Sequence, residues 1–163
     1  MSRVIELTTE KGSVAKQFYP DSNIVLFNPL NAKGKARKLP YEEGSCEGVF
    51  AHYCLQQISW RETVPSVLDW ARCLREGGLL HIIVPSQRWI ARQLMQEKPE
   101  PHVKPMLFGA QDSKYNHNRN SFSLLDLRIL METAGLGIVK AKLGAVEMVV
   151  DDKTFQAEQL YIA

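Results

Sequence analysis

The side chain best suited by type to move a proton is His117, inside "YNHNRN" (115–120). A neutral imidazole takes a proton from an attacking hydroxyl or amine near pH 7. The same six residues also read as a polar surface loop. His52 closes the run "CEGVFAHY" (46–53), where it can face a ligand or fill the rim of a core. His81 falls inside "LLHIIVP" and reads as structural, while His102, between Pro101 and Pro105, reads as solvent-exposed. Glu6 sits in the stretch "VIELTTEKGSVAK" (4–16), which has the outline of a strand, a nucleotide-binding turn and a helix. Such turns are rich in glycine because a ligand approaches the backbone closely, and this one has Gly12 alone. A second reading of the stretch is a strand, turn and helix that hold no ligand. Cys46, Cys54 and Cys73 are odd in number and form no C-x-x-C pair, which argues for free thiols and against a zinc site or a disulfide framework.

The elements that would position these groups follow from apolar patterning. "RVIEL" (3–7), "NIVLF" (23–27), "CEGVFAHY" (46–53) and "LLHIIVP" (79–85) read as strands, and near-continuous apolar runs such as "NIVLF" mark strands buried on both faces at the centre of a sheet. "GSVAKQFY" (12–19) is long enough for two helical turns. In "TVPSVLDWARCLREGG" (63–78) Val64, Val67, Leu68, Ala71 and Leu74 share a helical face, and Gly77-Gly78 reads as its stop. Ser86 is a cap for a helix running to about Glu97. Residues 98–122 are long and irregular. Ser123 and Asp126 form a capping signal for a helix that stops at Gly135. "GIVKAKLG" and "AEQLYIA" then read as a closing antiparallel hairpin. Alternating strands and helices make the class α/β, three layers around a mostly parallel sheet with an antiparallel C-terminal strand. Asn28 to Cys46 leaves little room for a crossover helix and another strand, so the fold is trimmed there.

A chain of 163 residues is expected to form one domain, 1–163, and to bury roughly 70% of its unfolded surface. A net charge of +2 gives no push toward nucleic acid or a membrane surface. "KGKARK" (33–38) carries four positive charges without interleaved aromatics and reads as a solvated loop. Trp60, Trp70 and Trp89 flank helices and are expected in the core. The N-terminal stretch lacks the apolar centre of a signal peptide, and no apolar run approaches 18 residues, so a cytoplasmic protein is expected.

In order, these segments resemble class I S-adenosylmethionine (SAM)-dependent methyltransferases, as a small and degenerate member. The resemblance rests on "LPYEEGSCEGVF", "LQQIS", "ARCLREGGLLHIIVP" and the tail "FGAQDSKYNHNRNSFSLLDLRILMETAGL". It implies that SAM lies over the ends of the first strands, at the switch point of the sheet. Glu6 stands at the family's acid and Gly12 at its last glycine. Thr8 and Glu10 stand where glycines are usual, Asn28 where an acid grips the ribose, and Gln56-Gln57 where Glu-His is usual; His52 faces the cofactor. The insert 98–122 would cover the site, with Phe108, Gln111, Tyr115 and Asn116 on the acceptor and His117 as base. The resemblance thus implies methyl transfer to an oxygen or nitrogen of an unidentified acceptor, with weak SAM binding. The altered loop, Asn28, Gln56-Gln57 and the short 28–46 region equally suit a catalytically silent methyltransferase-like module that binds or assembles with a partner.

Overall fold

The computed structural model describes residues 3–9, 13–30, 36–150 and 153–163. Six strands form one sheet: β1 (Arg3–Leu7), β2 (Asn23–Phe27), β3 (Cys46–His52), β4 (Leu74–Pro85), β5 (Ala141–Val150) and β6 (Lys153–Ile162), in the spatial order β2-β1-β3-β4-β6-β5. The first four run parallel; β6 is antiparallel to β4 and β5 to β6. Among the described residues four α-helices accompany them: α1 (Trp60–Cys73), α2 (Gln87–Leu94), α3 (Val103–Phe108) and α4 (Leu124–Thr133). The expected mixed sheet with an antiparallel end is therefore present.

Successive residues of a strand face opposite sides of the sheet. Ile5, Leu7, Val49, Ala51, Leu80 and Ile82 form a core with Val67 and Trp70 of α1 and Leu127 and Met131 of α4. Their neighbours Val4, Phe50, Ile83 and Tyr161 form a second cluster with Ala15, Val14 and Tyr19 from the chain that follows β1. Local signals place the helices. The Ser86 hydroxyl accepts from Trp89 N–H and starts α2, and Ser123 and Asp126 form a reciprocal capping box at α4.

Five expectations need correction. "NIVLF" is not central: β2 pairs with β1 alone at the edge of the sheet, and Leu26 is 48% exposed. The described part of 28–46 supplies no strand for its outer side, only a bridge between Leu30 and Ala36. The helix expected over 12–19 is, in its described part, one 3-10 turn at Ala15–Gln17. Helix α1 ends at Cys73 rather than at Gly77-Gly78. That glycine pair instead serves an irregular start of β4, where the partner of Cys46 is Leu74 and that of Gly48 is Leu79; a Cβ on Gly78 would lie 2.9 Å from two carbonyl oxygens. Trp60 is 65% exposed, because it begins α1 on the outward side. His102 is fully buried, stacked on Trp89 and packed at a tilt against Phe155, and it leads into α3 within the stretch that reads as irregular.

Candidate functional site

All four parallel strands end on one edge of the sheet, the edge at which such folds bind ligands. β3 delivers His52 there, and Tyr53 follows with a left-handed φ of 47°. A bulky residue rarely adopts that conformation, and it persists where surrounding bonds hold it. Tyr53 is held twice: its N–H donates to the Ile83 carbonyl at 3.0 Å, and its hydroxyl donates to Gln159 Oε1 at 2.7 Å. A 3-10 turn at Leu55–Gln57 then brings in Gln56 and Gln57. The Gln56 carbonyl accepts from the N–H groups of Arg119 and Asn120, which ties the insert to the exit of β3.

Between this exit and the insert lies a cavity of about 360 Å³. The β3 side contributes His52, Tyr53, Gln56 and Gln57, and β4 contributes Pro85. The insert contributes Pro105, Met106, Gly109, Ala110, Asn116 and Asn118, and β5 contributes Val146 and Glu147. The insert can fold back only because residue 109 is glycine. Its φ is +81°, and a Cβ there would lie 2.4 Å from the Asn116 carbonyl oxygen. Gln57 joins the two sides of the opening: its Oε1 accepts from the Thr9 hydroxyl at 3.1 Å, and its Nε2 donates to Asn116 Oδ1 at 3.5 Å.

Of the described residues that sequence reasoning assigns to a cofactor, only His52 borders this cavity. Glu6 is buried, and its carboxylate accepts from the Ser13 hydroxyl and from the N–H groups of Val14 and Ala15. Those bonds cap the short turn that follows. Thr8 is buried and its N–H donates to the Phe27 carbonyl at the end of β2. Asn28 Oδ1 accepts from Leu30 N–H at 2.9 Å, an Asx-turn across Pro29. Glu10 and Gly12 lie outside the described residues.

Of the residues assigned to an acceptor, Asn116 lines the cavity. Phe108 is exposed at the end of α3, Gln111 is exposed with φ +58°, and Tyr115 packs on the main core beneath Lys114. His117 stands between two lining residues, Asn116 and Asn118, without being one itself. Sequence reasoning missed Tyr53, Asn118, Met106 and Glu147. It noted Gln56 and Gln57 only as departures from a pattern.

Glu147 is the only formally charged side chain on the lining among the described residues, and it accepts from Gln156 at 2.9 Å. Cys54, beside Tyr53, is fully buried, and burial pushes its thiol upward, so it stays protonated and is no nucleophile. Among the described residues no cluster of His, Cys, Asp and Glu could hold a metal ion, and no helix is long and apolar enough to cross a membrane.

Residues 2–82 match the family model described as a methyltransferase domain. No curated protein matches the chain. Among solved structures, a SAM-dependent methyltransferase of Thermotoga maritima superposes with a TM-score of 0.59 at 14% identity, over 99% of this chain and 80% of that one. One from Methanosarcina mazei gives 0.57 at 16%, over 98% and 79%. The 1,6-didemethyltoxoflavin-N1-methyltransferase of Burkholderia thailandensis, solved with its acceptor and S-adenosylhomocysteine, gives 0.58 at 10%, over 99% and 70%. At these identities the superpositions speak for the fold.

Proposed function

The chain belongs to the class I methyltransferase family, and from that premise we propose that it moves a methyl group from SAM to an oxygen or nitrogen of a small acceptor held in the cavity at the ends of β3 and β4. The observation that carries this reading is the cavity itself. It opens where the parallel strands end, it is walled by the insert, and it brings His52 and Asn116 together. When bound, SAM supplies a methyl carbon already activated by its sulfonium, so the protein's task is alignment and exclusion of water.

The described residues fit that cofactor on the side facing the cavity. Gln56 Oε1 is buried without a hydrogen-bond partner among the described residues, and a buried acceptor of this kind costs roughly 1–3 kcal/mol unless a ligand held beside it donates to it. His52, Gln57 and the described residues that follow β1, Thr8 and Thr9, would hold the cofactor. Glu6 acts one step back, holding Ser13, Val14 and Ala15 against the end of β1. Through Gln57, Thr9 and Asn116 set the first loop and the insert relative to each other. Pro85, Pro105, Met106 and Val146 give the cavity an apolar wall that excludes water. An acceptor that must lose a proton would pass it to an imidazole, and the one bordering the cavity is that of His52. Binding is expected to be weak, because Asn28 offers the ribose no charge and its Oδ1 is engaged by Leu30.

Calorimetry with S-adenosylhomocysteine tests the proposal directly; saturable binding supports it and no binding sinks it. His52→Ala should lower turnover while retaining that binding, and His117→Ala should lower it less. A larger loss in His117→Ala would return the base to residue 117. The silent-module reading would stand if the homocysteine analogue does not bind at all.

A further inference from the structure

The amides around the cavity are oriented by their partners. Gln56 Nε2 donates to the Tyr53 carbonyl at 2.9 Å, and since a carbonyl can only accept, this fixes which end of the amide is oxygen. The same logic orients Asn118, whose Nδ2 donates to the Met106 carbonyl at 2.8 Å. Asn116 donates through Nδ2 to Asp112 at 2.9 Å, and Gln57 donates to Asn116. Each of these amide nitrogens thus has one hydrogen on a protein acceptor, whereas Gln56 Oε1 is buried without a hydrogen-bond partner among the described residues. The wall also carries the Glu147 carboxylate and, among the described residues, no lysine or arginine.

We propose that this cavity takes an aliphatic amine, bound as its ammonium form, with an apolar body seated on Met106, Pro105 and Val146; this rests on the methyltransferase reading above and names its acceptor class, the ammonium giving one proton to the His52 imidazole so that the freed nitrogen lone pair takes the methyl group as S-adenosylhomocysteine leaves. An aliphatic amine is charged at pH 7, as the lysine side chain is. Its N–H groups supply the donors that Gln56 Oε1 lacks, and its charge is opposite to that of Glu147. A carboxylate or phosphate would meet the like charge of Glu147 instead, with no lysine or arginine on the described lining to offset it.

The test compares two probes of similar shape and opposite charge, 2-phenylethylamine and 3-phenylpropanoate, by ligand-observed NMR titration of the whole chain at pH 7, with and without S-adenosylhomocysteine. The amine should bind at least about fivefold more tightly than the carboxylate, the size expected of one satisfied hydrogen bond. Glu147→Gln, at an exposed position that does not threaten folding, should shrink the preference about two- to threefold, and more so at low salt. Gln56→Met should shrink it about fivefold where its thermal melt shows a folded protein. Equal or reversed preference in the parent chain overturns the assignment, as does a preference that Glu147→Gln leaves unchanged. Amine preference without S-adenosylhomocysteine binding would remove the methyltransferase reading and leave an amine site. Homocysteine-analogue binding without amine preference would do the opposite.

Discussion

The Tyr19 phenol oxygen lies 2.8 Å from Nε2 of His81, and Nδ1 of the same ring lies 2.8 Å from the Tyr161 hydroxyl. One histidine in the middle of β4 thus joins the chain after β1 to the last strand. A neutral imidazole satisfies both bonds, donating through one nitrogen and accepting through the other. Burial drives it toward that form, pulling its pKa from 6.5 to about 4, while burial chiefly, and then the charge of Glu47, push the Tyr19 phenol up to about 12.

The His81 shift makes stability fall in mild acid. Between pH 6.5 and about 4 the unfolded chain carries a proton on this ring that the folded chain does not, so unfolding takes up a proton and stability declines as pH drops through that window. The whole effect is no more than about 3 kcal/mol. Urea unfolding of the parent and His81→Asn at pH 7 and pH 4.5 should show it: the variant starts less stable but loses less on acidification. Equal losses in the two proteins would remove His81 as the cause.

Gly48 leaves the room that Tyr19 occupies. A Cβ on it would fall 2.8 Å from the phenol oxygen and 3.0 Å from the ring carbon that bears it. Gly48→Ala should therefore push the ring away from His81 and cost about 1–3 kcal/mol, an overpacking penalty. Chemical denaturation measures this directly. A neutral result would mean that the ring and its hydrogen bond can shift without loss.

His102 is a liability that substitution should relieve. Both ring nitrogens are buried without hydrogen-bond partners among the described residues, and the ring lies 5.2 Å from Trp89 and 4.6 Å from Phe155, centroid to centroid. Replacing it with an apolar ring keeps the stacking and removes the unpaired groups. His102→Phe should leave stability unchanged or raise it by about 1 kcal/mol, while His102→Ala should lower it by about 2–4 kcal/mol through the cavity it leaves. A clear loss in His102→Phe would show that a ring nitrogen has a partner in solution.

His102 also shows where sequence reading stops. Its neighbours Pro101 and Pro105 suggest an exposed loop, but its burial is decided by Trp89 and Phe155, which are distant along the chain. The edge position of β2 has the same cause. An apolar run identifies a strand, but whether another strand covers its far side depends on the segment that follows. Local signals carried through better: the capping box at Ser123 and Asp126, the parallel order of apolar strands and the antiparallel close are all present. At the site, His52 and Asn116 were legible because they flank recognisable elements. Tyr53 was not, because its left-handed backbone has no signature in residue type. His117 stood out by chemistry, yet it is the asparagines on either side that line the cavity.

Asn28 separates a degenerate cofactor grip from an absent one. Its Oδ1 holds the Asx-turn to Leu30 N–H at 2.9 Å, and an aspartate can keep that bond with one oxygen while turning the other outward. Asn28→Asp thus adds a charged acceptor at the end of β2 without dismantling the turn. If the ribose of SAM lies there, a charge-assisted bond replaces a neutral one at a gain of about 1 kcal/mol, or about fivefold in affinity. Calorimetry with S-adenosylhomocysteine at low and moderate salt should show that tightening, with similar thermal melts for the two proteins. Unchanged or weaker binding would place the ribose away from residue 28 and leave the cavity-side groups His52 and Gln57 as the grip to examine.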